Sequence, residues 1–283
     1  SKLMAGLRGA TFPNLAQYRR DFSWLISCPS LLIGREAKGT SEPWDHLKLD
    51  FKPAEDFLES KAAYRVGYYA EALINVWLES LVSPDEIKRS IQIQEGSKTV
   101  GELDFLYRIG SVFHHLEVAL KFYLYCPEEN HTGSHLVGPN SADTFERKRD
   151  RFFQHQLPLG RERFSEVTCS EIMMKGMIFY PPEIEDMIVS PEGLNPDHRR
   201  GRWVHESEVG WIETVPGICG ASLLEKPFWL SGIPYSKSPA TAVQAVQEHF
   251  EKRRHPLLLS LKDENGSEIE RVFVVADEWP AKS

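Results

Sequence analysis

An α/β fold with a β-rich C-terminal extension is what this sequence predicts, from three observations. Apolar residues recur at helical spacing in two stretches before residue 82. Two strand-like stretches, residues 101–109 and 112–122, flank Gly110-Ser111. That pair suits a two-residue hairpin turn, because Gly takes φ > 0 at its first position. From about residue 160 onward, short apolar runs alternate with dense turn residues such as Pro181-Pro182, Pro216-Gly217 and Gly220.

Along the chain, residues 14–33 carry Leu15, Tyr18, Phe22, Leu25 and Ile26 at helical spacing, and this helix is expected to end near Pro29. Residues 35–52 are polar and read as loop. From about Pro53 to Leu81 the helical pattern returns, with Val66, Tyr69, Leu73, Trp77 and Leu81 as one apolar stripe. Ile91-Gln92-Ile93-Gln94 alternates as a strand does, and the second hairpin strand runs on to Tyr125. Gly138-Pro139-Asn140-Ser141 reads as a helix start with Asn140 or Ser141 as N-cap, and the helix over 142–156 stops before Pro158. In the tail, Ile178-Phe179-Tyr180, Trp211-Ile212, Leu257-Leu258-Leu259 and Val272-Phe273-Val274-Val275 read as strands, and 240–253 as a helix. The organisation expected is an N-terminal helical segment (1–52), a core (53–160) and the β-rich extension (161–283), whose strands either stand apart or extend the central sheet.

The 283 residues suffice for one large domain or two modest ones, and 41% hydrophobic with 26% charged residues is an ordinary globular composition. No apolar run approaches a bilayer span, so no membrane partner is expected, and the opening residues 1–7 lack the apolar core of a signal peptide. Four isolated cysteines (Cys28, Cys126, Cys169, Cys219) with no C-x-x-C fit a reducing cytoplasm and disfavour a zinc knuckle. A net charge of −8 argues against a non-specific nucleic-acid coat but leaves room for one local basic groove.

The hairpin carries the chemistry. With Ile109 paired to Val112, Asp104 falls opposite Glu117, and like charges facing each other on a sheet destabilise it. Alternation puts Leu103, Phe105, Val118, Leu120, Phe122 and Leu124 on one buried face, and Glu102, Asp104, Glu117, Ala119, Lys121 and Tyr123 on the other. Three carboxylates thus surround the small Ala119, with a lysine beside them. A divalent cation, Mg²⁺ or Mn²⁺, offsets such a charge, and this donor set suits metal-assisted hydrolysis of a phosphodiester. A solvated sheet face with Lys121 as ion-pair partner is the plainer reading of the same residues.

Glu102-Leu103-Asp104 followed by Glu117-Val118-Ala119-Leu120-Lys121 resembles the PD-(D/E)XK nuclease superfamily, the restriction-endonuclease-like fold. The resemblance implies a mixed sheet with a central β-hairpin flanked by helices. It implies metal ligation by Asp104 and Glu117, and a nucleophilic water oriented by Lys121. It also implies a helix glutamate, a place that Glu71 fits, with Gly67 one turn before it allowing close approach to the sheet. The family's second acid stands two residues before the lysine, where this chain has Ala119. Glu117 stands four before it on the same face, and Glu102 is the candidate substitute ligand. More narrowly, residues 65–71, 115–123, 138–140 and 155–157 resemble a bacterial family of unknown function (number 1853) placed in that superfamily.

Nucleic acid, DNA first, is the partner this implies. Arg147, Lys148, Arg149 and Arg151 are the expected contact surface, with Gln154 and His155 able to reach the site. His114 and His115 face opposite sides and read as packing and solvent residues. His131 and His135 with Glu128 and Glu129 lack a complete zinc spacing. The basic clusters Arg199-Arg200-Arg202 and Lys252-Arg253-Arg254 are placed more weakly, and the tryptophans read as core. No G-x-S-x-G elbow supports a serine hydrolase. The competing class is a catalytically inactive binding module that keeps the nuclease fold.

Overall fold

The computed structural model describes residues 13–37, 49–62, 65–128, 130 and 132–280. The readings of residues 1–7, of most of the 35–52 loop, and of His131 and Glu129 lie outside them. Helix α1 (Leu15–Ser27) starts where the Asn14 side chain accepts from Gln17 N–H, and it stops before Pro29. The second helical pattern is two helices, α2 (Glu55–Ala62) and α3 (Val66–Leu81). In α3, Val66, Tyr69, Leu73 and Trp77 are buried as the stripe requires, whereas Leu81 at its last turn is exposed.

Strands β1 (Ile87–Glu95), β2 (Lys98–Ile109) and β3 (Val112–Tyr125) form an antiparallel meander. After the short β4 (Leu136–Val137) comes α4 (Phe145–Arg151), then a single π turn (Phe152–Gln156), then α5 (Leu157–Arg163). Here the expected helix is corrected twice. Thr144 is the N-cap, its hydroxyl accepting from Arg147 N–H, and the helix runs through Pro158. The wide turn absorbs the proline: the Leu157 N–H reaches back to the Phe152 carbonyl, so the ring sits in the first turn of a new α segment, where its missing N–H costs little.

Strand β5 (Cys169–Tyr180) returns parallel to β3, and β6 (Arg199–His205) parallel to β5. Trp211-Ile212, read as a strand, lies in a 3₁₀ segment (Glu206–Thr214), where Ile212 buries against α6 rather than pairing in a sheet. Strands β7 (Gly220–Leu224), β8 (Leu257–Lys262) and β9 (Glu268–Val275), with α6 (Pro239–Phe250), complete the chain. The described strands form one mixed nine-stranded sheet in the order β1-β2-β3-β5-β6-β9-β8-β7, with β4 on β3. The tail strands therefore extend the central sheet.

Helices cover both faces, as parallel strands require. On one face α1, α2 and α3 pack on Phe105, Val118, Leu120, Phe122, Phe179 and Phe273. On the other, α4 and α5 pack on Ala119, Tyr123, Ile172 and Ile178, and α6 on Leu259, Val272 and Val274. The buried Asp21 carboxylate ties the ends of the chain together, accepting from Gln17, Tyr69 and Ser231. No described helix is long and apolar enough to cross a membrane.

Candidate functional site

The β2–β3 ladder has the expected register, from Ile109↔Val112 to Phe105↔Leu116. It ends at the next pair, Asp104 and Glu117. There side chains take over from backbone carbonyls as acceptors: Asp104 N–H donates to Glu117 Oε1 (3.2 Å), and Val118 N–H donates to Asp104 Oδ2 (2.8 Å). Beyond this point β2 leaves β3. Gln156, carried by the π turn, fills the gap, its Nε2 donating to the Glu102 carbonyl (2.7 Å) and to Glu117 Oε2 (3.0 Å). Glu102 therefore does not pair across from Ala119, and its side chain is exposed.

The strand pleat also changes at Asp104. Ser90, beside it on β1, has φ +49°. Leu103 consequently packs with Leu106 and Leu159, and does not share the Phe105 face as strict alternation predicts. The small residues nearby have different reasons. A Cβ at Gly101 would stand 2.5 Å from Leu159, and one at Gly160 would stand 2.3 Å from His115 Nδ1, so α5 lies directly on the hairpin because both lack side chains. Gly67 meets nothing within 4 Å, so the expected close approach to the sheet is not what it provides; it lines open space beside Glu71.

Two cavities meet at this parting of strands. One, about 590 Å³, is lined by Glu71, Ala119, Lys121, Asp143, Lys148 and Trp229, among others. The other, about 660 Å³, is lined by Glu71, Ser90, Glu102 and Asp104. Ala119 lines the first of these and also packs in the core beneath α4 and α5. Burial pushes the Glu71 carboxyl up to about 7, helped by the charges of Glu102 and Glu117. Burial, with Glu117 and Glu71 adding to it, holds the Asp104 carboxyl well above the usual range. Burial and then Lys121 push the Lys148 ammonium down, while Asp104 and Glu117 act in the opposite direction. A crowded, half-buried set of carboxylates with two amines beside it is the geometry that perturbs titration in this way.

Lys121 Nζ donates to Asp143 Oδ2 at 2.6 Å, and Tyr123 O–H donates to the same oxygen at 3.3 Å. Of the four basic residues of α4, Lys148 faces the cleft. Arg149 is turned to Asp150 and the Glu192 carbonyl, Arg147 binds the Ala142 carbonyl, and Arg151 is exposed. Gln154 is exposed and His155 contacts the Val100 carbonyl, so Gln156 is the residue that enters the site.

His115 is the other residue the sequence reading missed. It is fully buried, and its Nε2 lies 2.7 Å from Glu117 Oε1, where the Nε2–H tautomer donates. The signal was the i, i+2 spacing of His115 and Glu117 on one strand face. For Gln156 and Asp143 there was no such local signal. Among the described residues, the triad whose His, Cys or carboxylate ligand atoms all lie within 4.8 Å of one another is His114, Cys169 and Glu171, away from this cleft. Among the described residues no such group of three occurs at the acidic cleft, where Asp104, Glu71 and Glu102 line the cavity and Glu117 lies buried behind it.

A model of the family described as Domain of unknown function (DUF1853) matches residues 20–275, and the chain belongs to that family. No curated protein and no solved structure matches it.

Proposed function

We propose that this DUF1853 member hydrolyses phosphodiester bonds in nucleic acid, DNA first, on a restriction-endonuclease-like core of the PD-(D/E)XK type. The observation that carries the reading is the meeting of Asp104, Glu117 and Glu71 with Lys121 and Lys148 at the point where β2 and β3 separate. The order α3-β1-β2-β3-α4-α5-β5, with an antiparallel hairpin and a parallel return strand, supports the fold assignment.

The chain's residues fit a divalent cation. Asp104 and Glu117 would hold Mg²⁺ or Mn²⁺, with Glu71 and exposed Glu102 reaching it through water, and the ion when bound supplies neutralising charge and a more acidic water. Asp104 keeps one oxygen on Val118 N–H, which fixes its rotamer while its other oxygen stays available. His115 and Gln156 orient Glu117 from behind, the role that outer partners take for carboxylate ligands. Lys121, positioned by Asp143, orients the attacking water, and Lys148 faces the scissile phosphate as a point charge. Arg65 and Lys226 extend the positive side of the cleft toward the rest of the substrate.

The test is incubation with plasmid, linear and single-stranded DNA plus Mg²⁺ or Mn²⁺. Metal-dependent cleavage that falls by about 10²–10³ in Lys121→Ala and disappears in Asp104→Asn supports the reading. Cleavage unchanged in both variants refutes it. The second reading, a binding module without catalysis, is favoured by one arrangement: Lys121 is already paired with Asp143, and Ala119 occupies the usual acid position. It predicts nucleic-acid binding without cleavage under every metal condition.

A further inference from the structure

We propose that His114, Cys169 and Glu171 form a zinc site that pins β3 to β5 on the face of β3 opposite Glu117. The topology brings the three together. His114 is in register with Cys169, and Glu171 lies two residues on from Cys169, so alternation turns both β5 side chains the same way. Their ligand atoms all lie within 4.8 Å of one another.

The geometry favours an ion over a direct pair. His114 Nδ1 stands 3.4 Å from Glu171 Oε2, and this buried nitrogen makes no hydrogen bond among the described residues. Nitrogen and oxygen ligands about 2.0–2.1 Å from a tetrahedral zinc ion stand roughly 3.4 Å apart. The observed spacing is therefore already that of one tetrahedral edge.

The outer partners are also in place. Tyr107 O–H donates to Glu171 Oε2 at 3.2 Å, and the Tyr107 ring stacks on the imidazole at 4.7 Å with the planes 1° apart. These contacts orient two of the three ligands. A thiol, an imidazole and a carboxylate select zinc over the hard Mg²⁺ of the acidic cleft. The His114 and Glu171 side chains retain 15% and 18% exposure, which gives an ion a way in. Three protein ligands leave the fourth position for water or an outside donor.

This site is independent of the hydrolase reading, and its test separates the two. The full chain is stripped with a chelator and titrated with Zn²⁺ against a chromogenic competitor, then with Co²⁺ as a spectroscopic probe. One tight ion per chain is expected, with a thiolate-to-cobalt charge-transfer band and strong tetrahedral d–d absorption. Cys169→Ser is expected to remove the band and to weaken zinc binding more than about 100-fold. Glu171→Gln should weaken it similarly, Tyr107→Phe about tenfold with the band kept. Asp104→Asn and Cys219→Ser should leave both readouts unchanged. Thermal unfolding of each variant shows whether it folds, and Glu171→Gln decides the matter if Cys169→Ser does not. Absence of the band in the parent protein, or a band retained in folded Cys169→Ser, overturns the proposal.

Discussion

Replacing Glu71 with Gln removes one charge from a carboxylate cluster while keeping its shape. The Glu71 carboxyl is pushed from 4.5 to about 7, first by burial and then by Glu102 and Glu117. A carboxyl raised on folding contributes stability that is complete below its unfolded value and is lost as pH rises through the folded one. The window is therefore pH 4.5 to about 7, and above it the ionised Glu71 opposes folding. At about 1.4 kcal/mol per pH interval of displacement, the full effect is about 3 kcal/mol, and solvent screening of this partly exposed group leaves roughly 2 kcal/mol. In chelator at pH 8, Glu71→Gln should accordingly be more stable than the parent, with Tm higher by about 3 °C. At pH 5, near the bottom of that window, the difference should shrink to a small fraction of its pH 8 value. Adding Mn²⁺ at pH 8 should raise the parent's Tm more than the variant's, because ions that bind only the folded state stabilise it by mass action. Calorimetric or circular-dichroism melts at both pH values provide the readout. An equal shift at pH 5 and pH 8, or a less stable variant at pH 8, would refute the claim that an ionised Glu71, buried beside other carboxylates, opposes folding.

Gly160→Ala should cost about 1–3 kcal/mol in urea unfolding, since its Cβ would stand 2.3 Å from His115 Nδ1 and push α5 off the hairpin. Gln156→Leu should cost a similar ~1–3 kcal/mol, because the Glu102 carbonyl and Glu117 Oε2 lose their shared donor; unchanged stability would show that the wedge is not structural. Asp143→Ala should lower metal-dependent cleavage roughly 10- to 100-fold by releasing Lys121, while Mn²⁺ affinity stays within about twofold. Equal losses in both would make Asp143 a ligand rather than a positioning residue.

The hairpin was legible because its determinants are local. Gly110-Ser111 fixes the register, and a period of two then places Asp104 against Glu117 with no tertiary information. The same period failed at Leu103, because the backbone of Ser90 at φ +49° lies on a neighbouring strand and changes the pleat from outside. Proline misled the reading of α4 and α5: Pro158 ends an ordinary helix, but a π turn supplies the slack that lets the chain continue, and that turn also delivers Gln156 to Glu117. Trp211-Ile212 illustrates the ambiguity of short apolar pairs, which a buried 3₁₀ segment satisfies as well as a strand. The pairing of Lys121 with Asp143 and the meeting of His114 with Cys169 and Glu171 depend on contacts distant in sequence, where spacing carries no signal.

Calorimetric titration of Mn²⁺ into the parent chain and into Asp104→Asn, both with Cys169→Ser in the background, addresses the acidic cleft most directly. Saturable binding of Mn²⁺ to the parent is expected, strengthening from pH 5.5 to pH 8 as Glu71 ionises, and abolished in Asp104→Asn. Binding that is pH-independent, or that persists in Asp104→Asn, would contradict it.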